Sequence, residues 1–402
     1  MSNLITITGF HEARETFRQK HLRQGLYDAG EVIMSDVIVN LHGEQHRDRR
    51  RLENRLYTRE TFREYEEELF PPIIEATMAP HLAAGRAELV SLAHQLMMNL
   101  AAYTAGVDRP LGTAAETEHL YSYLKIFIDG ATLEHYVGDK VAKRAEVAAA
   151  LESFDEEFLA PSIARRRALL ADVDAGSLEE SALPRDVLTV LLRNTDKLLL
   201  EHETIRREIA FYLLAGAHTS ATAFVRVLHN VLEWLATHPQ DRSRIRSDPR
   251  FVQRCMHETV RLQPSSPIAA RWATEDITLS TGRTIAQGDR VVIDLLEVNR
   301  DPEVFGESAQ DFDPNRGVPE GIAPYGLSFG LGMHACIGQD LAAGVAHRGE
   351  GASELQLLGL VPLAVQYLFD HGCERDLLDP PEMDPSTTRP YFGRYPVVFA
   401  GT

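Results

Sequence analysis

The chain has only three cysteines among 402 residues, at positions 255, 336 and 373. Widely separated, odd in number and without a CxxC pair, they exclude a disulfide framework and suit a reducing cytoplasm. Positive charge is also in deficit, with 41 Lys and Arg against 59 Asp and Glu and a net charge of −18. That balance argues against nucleic acid as a partner, because binding a phosphate backbone requires its neutralisation by Lys and Arg. It favours solubility and carries no information about fold. Long apolar runs are missing too. The longest, LLGLVPLAVQYLF at 357–369, is interrupted by Pro362 and Gln366 and is shorter than the roughly 18 residues of a membrane span. The opening MSNLITITGFHEARE lacks a basic stretch followed by an apolar core, so no secretory signal is expected. No GxGxxG follows a strand pattern, so a flavin or dinucleotide site within the chain is not expected.

What is present is mostly helical periodicity. Residues 58–85, 87–106 and 201–239 place apolar side chains three and four apart, which predicts long helices, and a further helix is predicted at 249–262. ARWATEDITLSTGRTIAQGDRVVIDLLEVNRD, from residue 270, alternates and carries turn signals at Thr281–Gly282 and Gln287–Gly288, which predicts short strands, as does the closing PYFGRYPVVFA. With no linker between helices and strands, the expectation is one large, mainly α domain over 1–402 with a small β subdomain.

Cys336 lies in SFGLGMHACIGQDLAA, 328–343, among three glycines and a histidine. Gly330, Gly332 and Gly338 can adopt conformations closed to other residues and let the loop curl round the sulfur. A helix is predicted in QDLAAGVA, with its positive end toward the thiol. Three readings fit these residues: a glycine-rich turn around a structural cysteine, a zinc site using His334 and Cys336, or a thiolate that ligates another metal.

The stretch resembles the haem-binding signature of the cytochrome P450 family, with Phe329, Gly330, Gly332, His334, Cys336, Gly338, Leu341 and Ala342 in matching positions. The resemblance implies that Cys336 is the axial thiolate of haem b (iron protoporphyrin IX), that His334 meets a propionate, and that Phe329 packs beside the loop. HETVRLQP, 257–264, and FDPNR, 312–316, resemble the family's structural triad, here Glu258, Arg261 and Arg316. NRDPEVFG at 299–306 also has the family's wording, and Arg271 falls where the family binds a propionate. LHGEQHRDRRRL, 41–52, resembles the helix whose His and Arg, here His46 and Arg50, share a face toward a propionate. Its neighbours Arg47, Arg49 and Arg51 are expected on a solvated face that could dock an acidic electron carrier. LLAGAHTSAT, 213–222, resembles the oxygen-activating helix, matched at Ala215, Gly216 and Thr219, with His218 where the family has an acid. Small residues there let ligands approach, a threonine hydroxyl can bend the helix, and histidine can shuttle protons near neutral pH.

Two departures accompany the resemblance, which covers roughly 40–400 and is weakest at 110–200. Few residues precede His46, so the family's N-terminal helix and first strands have no evident counterpart. Gly349 and Gly351 interrupt the helix expected after the cysteine. The resemblance implies haem held between the long helix and the cysteine loop. It also implies a cytoplasmic monooxygenase with a hydrophobic organic substrate, O2, and a ferredoxin-type donor with its reductase. A peroxide-driven or rearranging haem-thiolate enzyme and a non-catalytic haem sensor are the alternatives. Pocket candidates are Ala215, Ile268, Ala269 and Phe392, followed by Tyr123 and Phe127.

Overall fold

The computed structural model describes residues 2–346, 357–385 and 390–399. Gly349 and Gly351 lie outside them. The fold is mainly helical with small sheets, as the periodicities predict. Its contacts divide it into two compact units: Met1–Leu22, Phe62–Leu96 and Thr219–Thr402 form one, and Arg23–Thr61 with Met97–His218 form the other.

In the first unit, the strand Arg290–Asp294 pairs in parallel with Leu4–Ile7 (Leu4 opposite Arg290) and antiparallel with Ile268–Ala273 (Ile268 opposite Asp294). The helix Phe10–Arg18 buries Phe10, Ala13 and Phe17, spaced three and four apart, in the same cluster as Val291, Ile293 and Leu327. The chain therefore forms a strand and a helix well before His46, where the sequence offered no evident counterpart. A strand of four residues is too short for its alternation to stand out. The helix Pro249–Leu262 starts on Asp248, whose side chain accepts the Arg250 N–H, with proline in its first turn. Near the C-terminus, Pro396–Phe399 pairs antiparallel with both Arg86–Glu88 and Cys373–Arg375.

The second unit is helical. Thr113 caps Ala114–Ala131 and Asp139 caps Lys140–Phe154, each accepting backbone N–H groups of the first turn. Phe127 sits edge-on to Phe154 at 5.6 Å, and Tyr123 packs against Phe154 and Phe158. The helix His202–Thr237 contributes its first half to this unit and its second half to the other.

The single helix predicted over 58–85 is interrupted. A wide turn, Tyr65–Leu69, separates Arg59–Glu64 from Phe70–Ala83, with the Phe70 N–H reaching back five residues to Tyr65 O. Pro71 and Pro72 follow; without N–H groups they cannot close the ordinary four-residue bonds, and the backbone widens just before them. The same happens at Asp155–Leu159, ahead of Pro161.

Candidate functional site

The cysteine loop requires glycine at two places. Gly330 and Gly332 have φ of 64° and 71°, and a Cβ on Gly332 would lie 2.5 Å from Phe17 O. Gly338 differs from expectation: its φ of −92° is open to any residue, and a Cβ there would meet nothing within 4 Å. The Cys336 N–H donates to Phe329 O at 2.8 Å, closing the loop on itself. Cys336 is exposed, whereas Cys255 and Cys373 are fully buried. Burial pushes both of those thiols up, that of Cys373 to about 12, so neither is a thiolate at neutral pH. The helix expected in QDLAAGVA shrinks to Gln339–Ala343, because Gly344 turns away with φ 69°.

Glu258, Arg261 and Arg316 are brought together. Arg261, on the same helix one turn after Glu258, donates from Nε and Nη2 to its two carboxylate oxygens, each at 2.7 Å. Nη1 of Arg261 reaches Asn299 O and Ala309 O. Arg316 Nε donates to Glu258 Oε1 at 3.0 Å, and its Nη atoms donate to Phe305 O, Ser308 O and Asp311 O. A fully buried guanidinium is tolerated because its donors are matched by acceptors. The triad thereby ties the segment 299–316 to the helix, and Asn299 carries the tie onward: its Oδ1 accepts the Leu327 N–H, and its Nδ2 donates to Ser328 Oγ. Arg271 is buried on its strand, with its guanidinium over the Phe17 ring at 5.5 Å. Phe17 thus meets Arg271 through its ring and Gly332 through its carbonyl.

His46 is buried on the helix Gly43–Glu53, and burial, reinforced by the Arg50 charge, lowers its pKa to about 4. Half-buried Arg50 donates from Nε to Asn54 Oδ1. Arg49 corrects the expectation of a solvated basic face. It is 5% exposed, and its Nη1 donates to Glu208 Oε2 at 2.5 Å. Only Arg47 and Arg51 are on the surface, near Glu44 and Asp48. On the long helix, a Cβ on Gly216 would sit 3.3 Å from Ala101 Cβ, so that glycine serves close helix packing. Thr219 O accepts from Ser265 Oγ at 3.3 Å, and the helix stays α-helical through His218 and Thr219.

Among the pocket candidates, Ala215, Ile268 and Ala269 are half-buried, and Ala269 packs against the first unit's core. Phe392 instead packs on His229 at 4.9 Å and on Tyr395 at 5.0 Å. Tyr123 and Phe127 are buried core aromatics. Two features went unpredicted. Glu53 and Glu208 share a buried site with Arg49 and Tyr212, and His257 and Tyr325 stand behind the cysteine loop. A charged residue at an apolar helix position, such as Glu208 between Ile205 and Ile209, was the available signal for the first.

The donor chemistry at Cys336 discriminates among metals. Among the described residues no group of three or more His, Cys, Asp or Glu could hold an ion, so the cluster that a zinc site needs does not form around His334 and Cys336. A metal bound there must bring its other ligands with it, as haem iron does. The cytochrome P450 family model matches residues 144–344, half of the chain. The chain belongs to the cytochrome P450 family. Haem is that family's cofactor, and Cys336, exposed on a loop that closes on itself, suits it. Similar curated proteins include human cytochrome P450 4F12, 31% identical over 220 residues, 48% of this chain and 40% of the relative. Another is the biotin biosynthesis cytochrome P450 of Bacillus subtilis, 32% identical over 158 residues, 39% and 37% of the respective chains. These alignments span about two-fifths of those relatives' lengths. The fold is similar to the crystal structure of CalO2, with TM-score 0.75 and 20% identity over 98% of this chain and 90% of that one. It is also similar to P450BioI in complex with hexadec-9Z-enoic acid ligated acyl carrier protein, with TM-score 0.71 and 20% identity over 98% and 92%. Among the described residues no helix is long and apolar enough to cross a membrane.

Proposed function

We propose that this P450 is a haem-thiolate monooxygenase that inserts one oxygen atom from O2 into an organic, mainly apolar small molecule. The observation that carries the reading is Cys336, the exposed thiol of a chain whose other two are buried and held protonated. Haem bound through that thiolate supplies oxygen activation, with the sulfur donating electron density to iron. By resemblance, Arg271, His334, His46 and Arg50 are the propionate-holding residues, Arg271 and Arg50 acting by charge and buried His46 as a neutral hydrogen-bonding group. Thr219 and His218 hold and move the proton that oxygen reduction consumes, with the imidazole in the role of the usual acid. Ala215, Ile268 and Ala269 give the substrate apolar surface. Electrons come from a separate ferredoxin-type donor in the cytoplasm, as the resemblance implies.

The test is the absorbance of the reduced carbon monoxide complex. Wild type, Cys255→Ala and Cys373→Ala are expected to show the long-wavelength Soret band of thiolate ligation, and Cys336→Ala to lose it. An unchanged band in Cys336→Ala ends the haem-thiolate reading. Histidine at 218 favours a second reading, a peroxide-driven enzyme. Product formed with peroxide but not with NADPH, ferredoxin and its reductase would select it.

A further inference from the structure

The five-residue helix Gln339–Ala343 follows Cys336 and holds the C-terminal side of the cysteine loop. A helix this short does not sustain itself, so its direction depends on what fixes its ends. Its last carbonyl, Ala343 O, accepts from Nε2 of His257 at 2.9 Å, and more weakly from Gln253 Nε2 at 3.3 Å. His257 is 3% exposed, at the centre of Pro249–Leu262. Its ring also packs edge-on against Tyr325 at 5.5 Å, and Tyr325 packs edge-on against Phe329 at 4.9 Å and 89°. Phe329 O is the acceptor of the Cys336 N–H. One imidazole therefore reaches both sides of the loop: the C-terminal side through a hydrogen bond and the N-terminal side through two aromatic contacts.

We infer that His257 is a positioning residue for the Cys336 thiolate, clamping the cysteine loop through Ala343 O and Tyr325. Burial keeps the imidazole neutral, with its pKa lowered to about 4, so it has one N–H, and the Ala343 carbonyl fixes that proton on Nε2. The ring is then a donor toward Ala343 and an aromatic partner toward Tyr325 at the same time. Without the clamp, the short helix and the Phe329 end can shift independently, and the sulfur leaves the geometry that favours the thiolate.

The inference rests on the haem-thiolate reading, and the experiment separates the two. Haem-loaded wild type, His257→Phe, His257→Gln and Tyr325→Leu are reduced under carbon monoxide at pH 7. The conversion of the thiolate-type Soret band to the thiol-type band is timed in moderate urea, beside the far-UV unfolding midpoint of each protein. A wild type without the thiolate band refutes the haem-thiolate reading itself. With that band present, His257→Phe is expected to convert about fivefold to tenfold faster, the factor of one lost hydrogen bond, with an unfolding midpoint close to wild type. His257→Gln, which keeps an N–H donor, is expected to return to within about twofold of wild type, and Tyr325→Leu to convert faster as well. Wild-type conversion in His257→Phe overturns the inference. So does equal acceleration in His257→Gln and His257→Phe, and so does an unfolding midpoint that falls in step with conversion or a His257→Phe protein that does not fold.

Discussion

Glu208→Gln and Glu53→Gln remove one carboxylate each from the same buried site, and they are expected to differ widely in cost. Glu208 is 0% exposed. It accepts the Ile38 N–H on both oxygens and Arg49 Nη1 on Oε2. Glu53, one helical turn after Arg49, accepts from Tyr212 Oη at 2.5 Å, and Tyr57 stacks on Tyr212. Two carboxylates face one guanidinium, so one proton is retained. Burial, then the neighbouring Glu208 charge, raise Glu53 well above the usual range, and Glu53 is the protonated member of the pair. Glutamine at 53 mimics that protonated acid and is expected to cost under about 1 kcal/mol at pH 7. Glutamine at 208 leaves Arg49 buried without its anion, a loss of about 3 to 5 kcal/mol. The pH dependence has a definite sign. Burial holds Glu53 well above the ordinary carboxylate range, so the native state keeps a proton that the unfolded state loses above about 4.5. Stability is fully present below the unfolded value and is lost as pH rises above it, at about 1.4 kcal/mol per pH unit while Glu53 keeps its proton in the native state. Urea unfolding followed by circular dichroism at pH 5, 6, 7 and 8 measures both effects. Equal stability of the two variants, or a wild-type profile that does not fall from pH 5 to 7, would refute the shared-proton account.

The glycines of the cysteine loop separate in the same way: Gly332→Ala should displace the loop and lose the thiolate-type band, because its Cβ meets Phe17 O. Gly338→Ala should fold as stably as wild type. Glu258→Gln is expected to destabilise by about 3 to 5 kcal/mol, because Arg261 stays fully buried without a counter-charge; a smaller loss by urea unfolding would show that the carbonyl acceptors suffice. Neutralising Arg47 and Arg51 should weaken reduction by an acidic ferredoxin as added salt does, whereas Arg49→Gln should chiefly lower stability. Reduction rates indifferent to both salt and the double substitution would place the carrier elsewhere. His218→Ala should retain haem while diverting NADPH electrons into peroxide, and His218→Asp should restore coupling. Equal coupling in His218→Ala and wild type at every pH would make His218 structural.

The long helices were legible in the sequence because apolar spacing of three and four is a local property of the chain. The cysteine loop was legible for a related reason: a thiol among glycines at set positions is a contiguous pattern. Glu258 and Arg261 were readable as a pair one helical turn apart. Their partner Arg316, far along the chain, came only by resemblance, since nothing local specifies which carboxylate a distant guanidinium meets. Burial was the property that local pattern could not supply. Arg47, Arg49 and Arg51 look alike in sequence, yet Arg49 turns inward to Glu208 while the others stay on the surface, and the pairing exists only once the two helices pack. His257 reads as the residue before a motif glutamate. Only the tertiary structure brings Tyr325 and Ala343 to its ring, because hydrogen bonds and ring contacts between segments many residues apart depend on how the helix Pro249–Leu262 is buried.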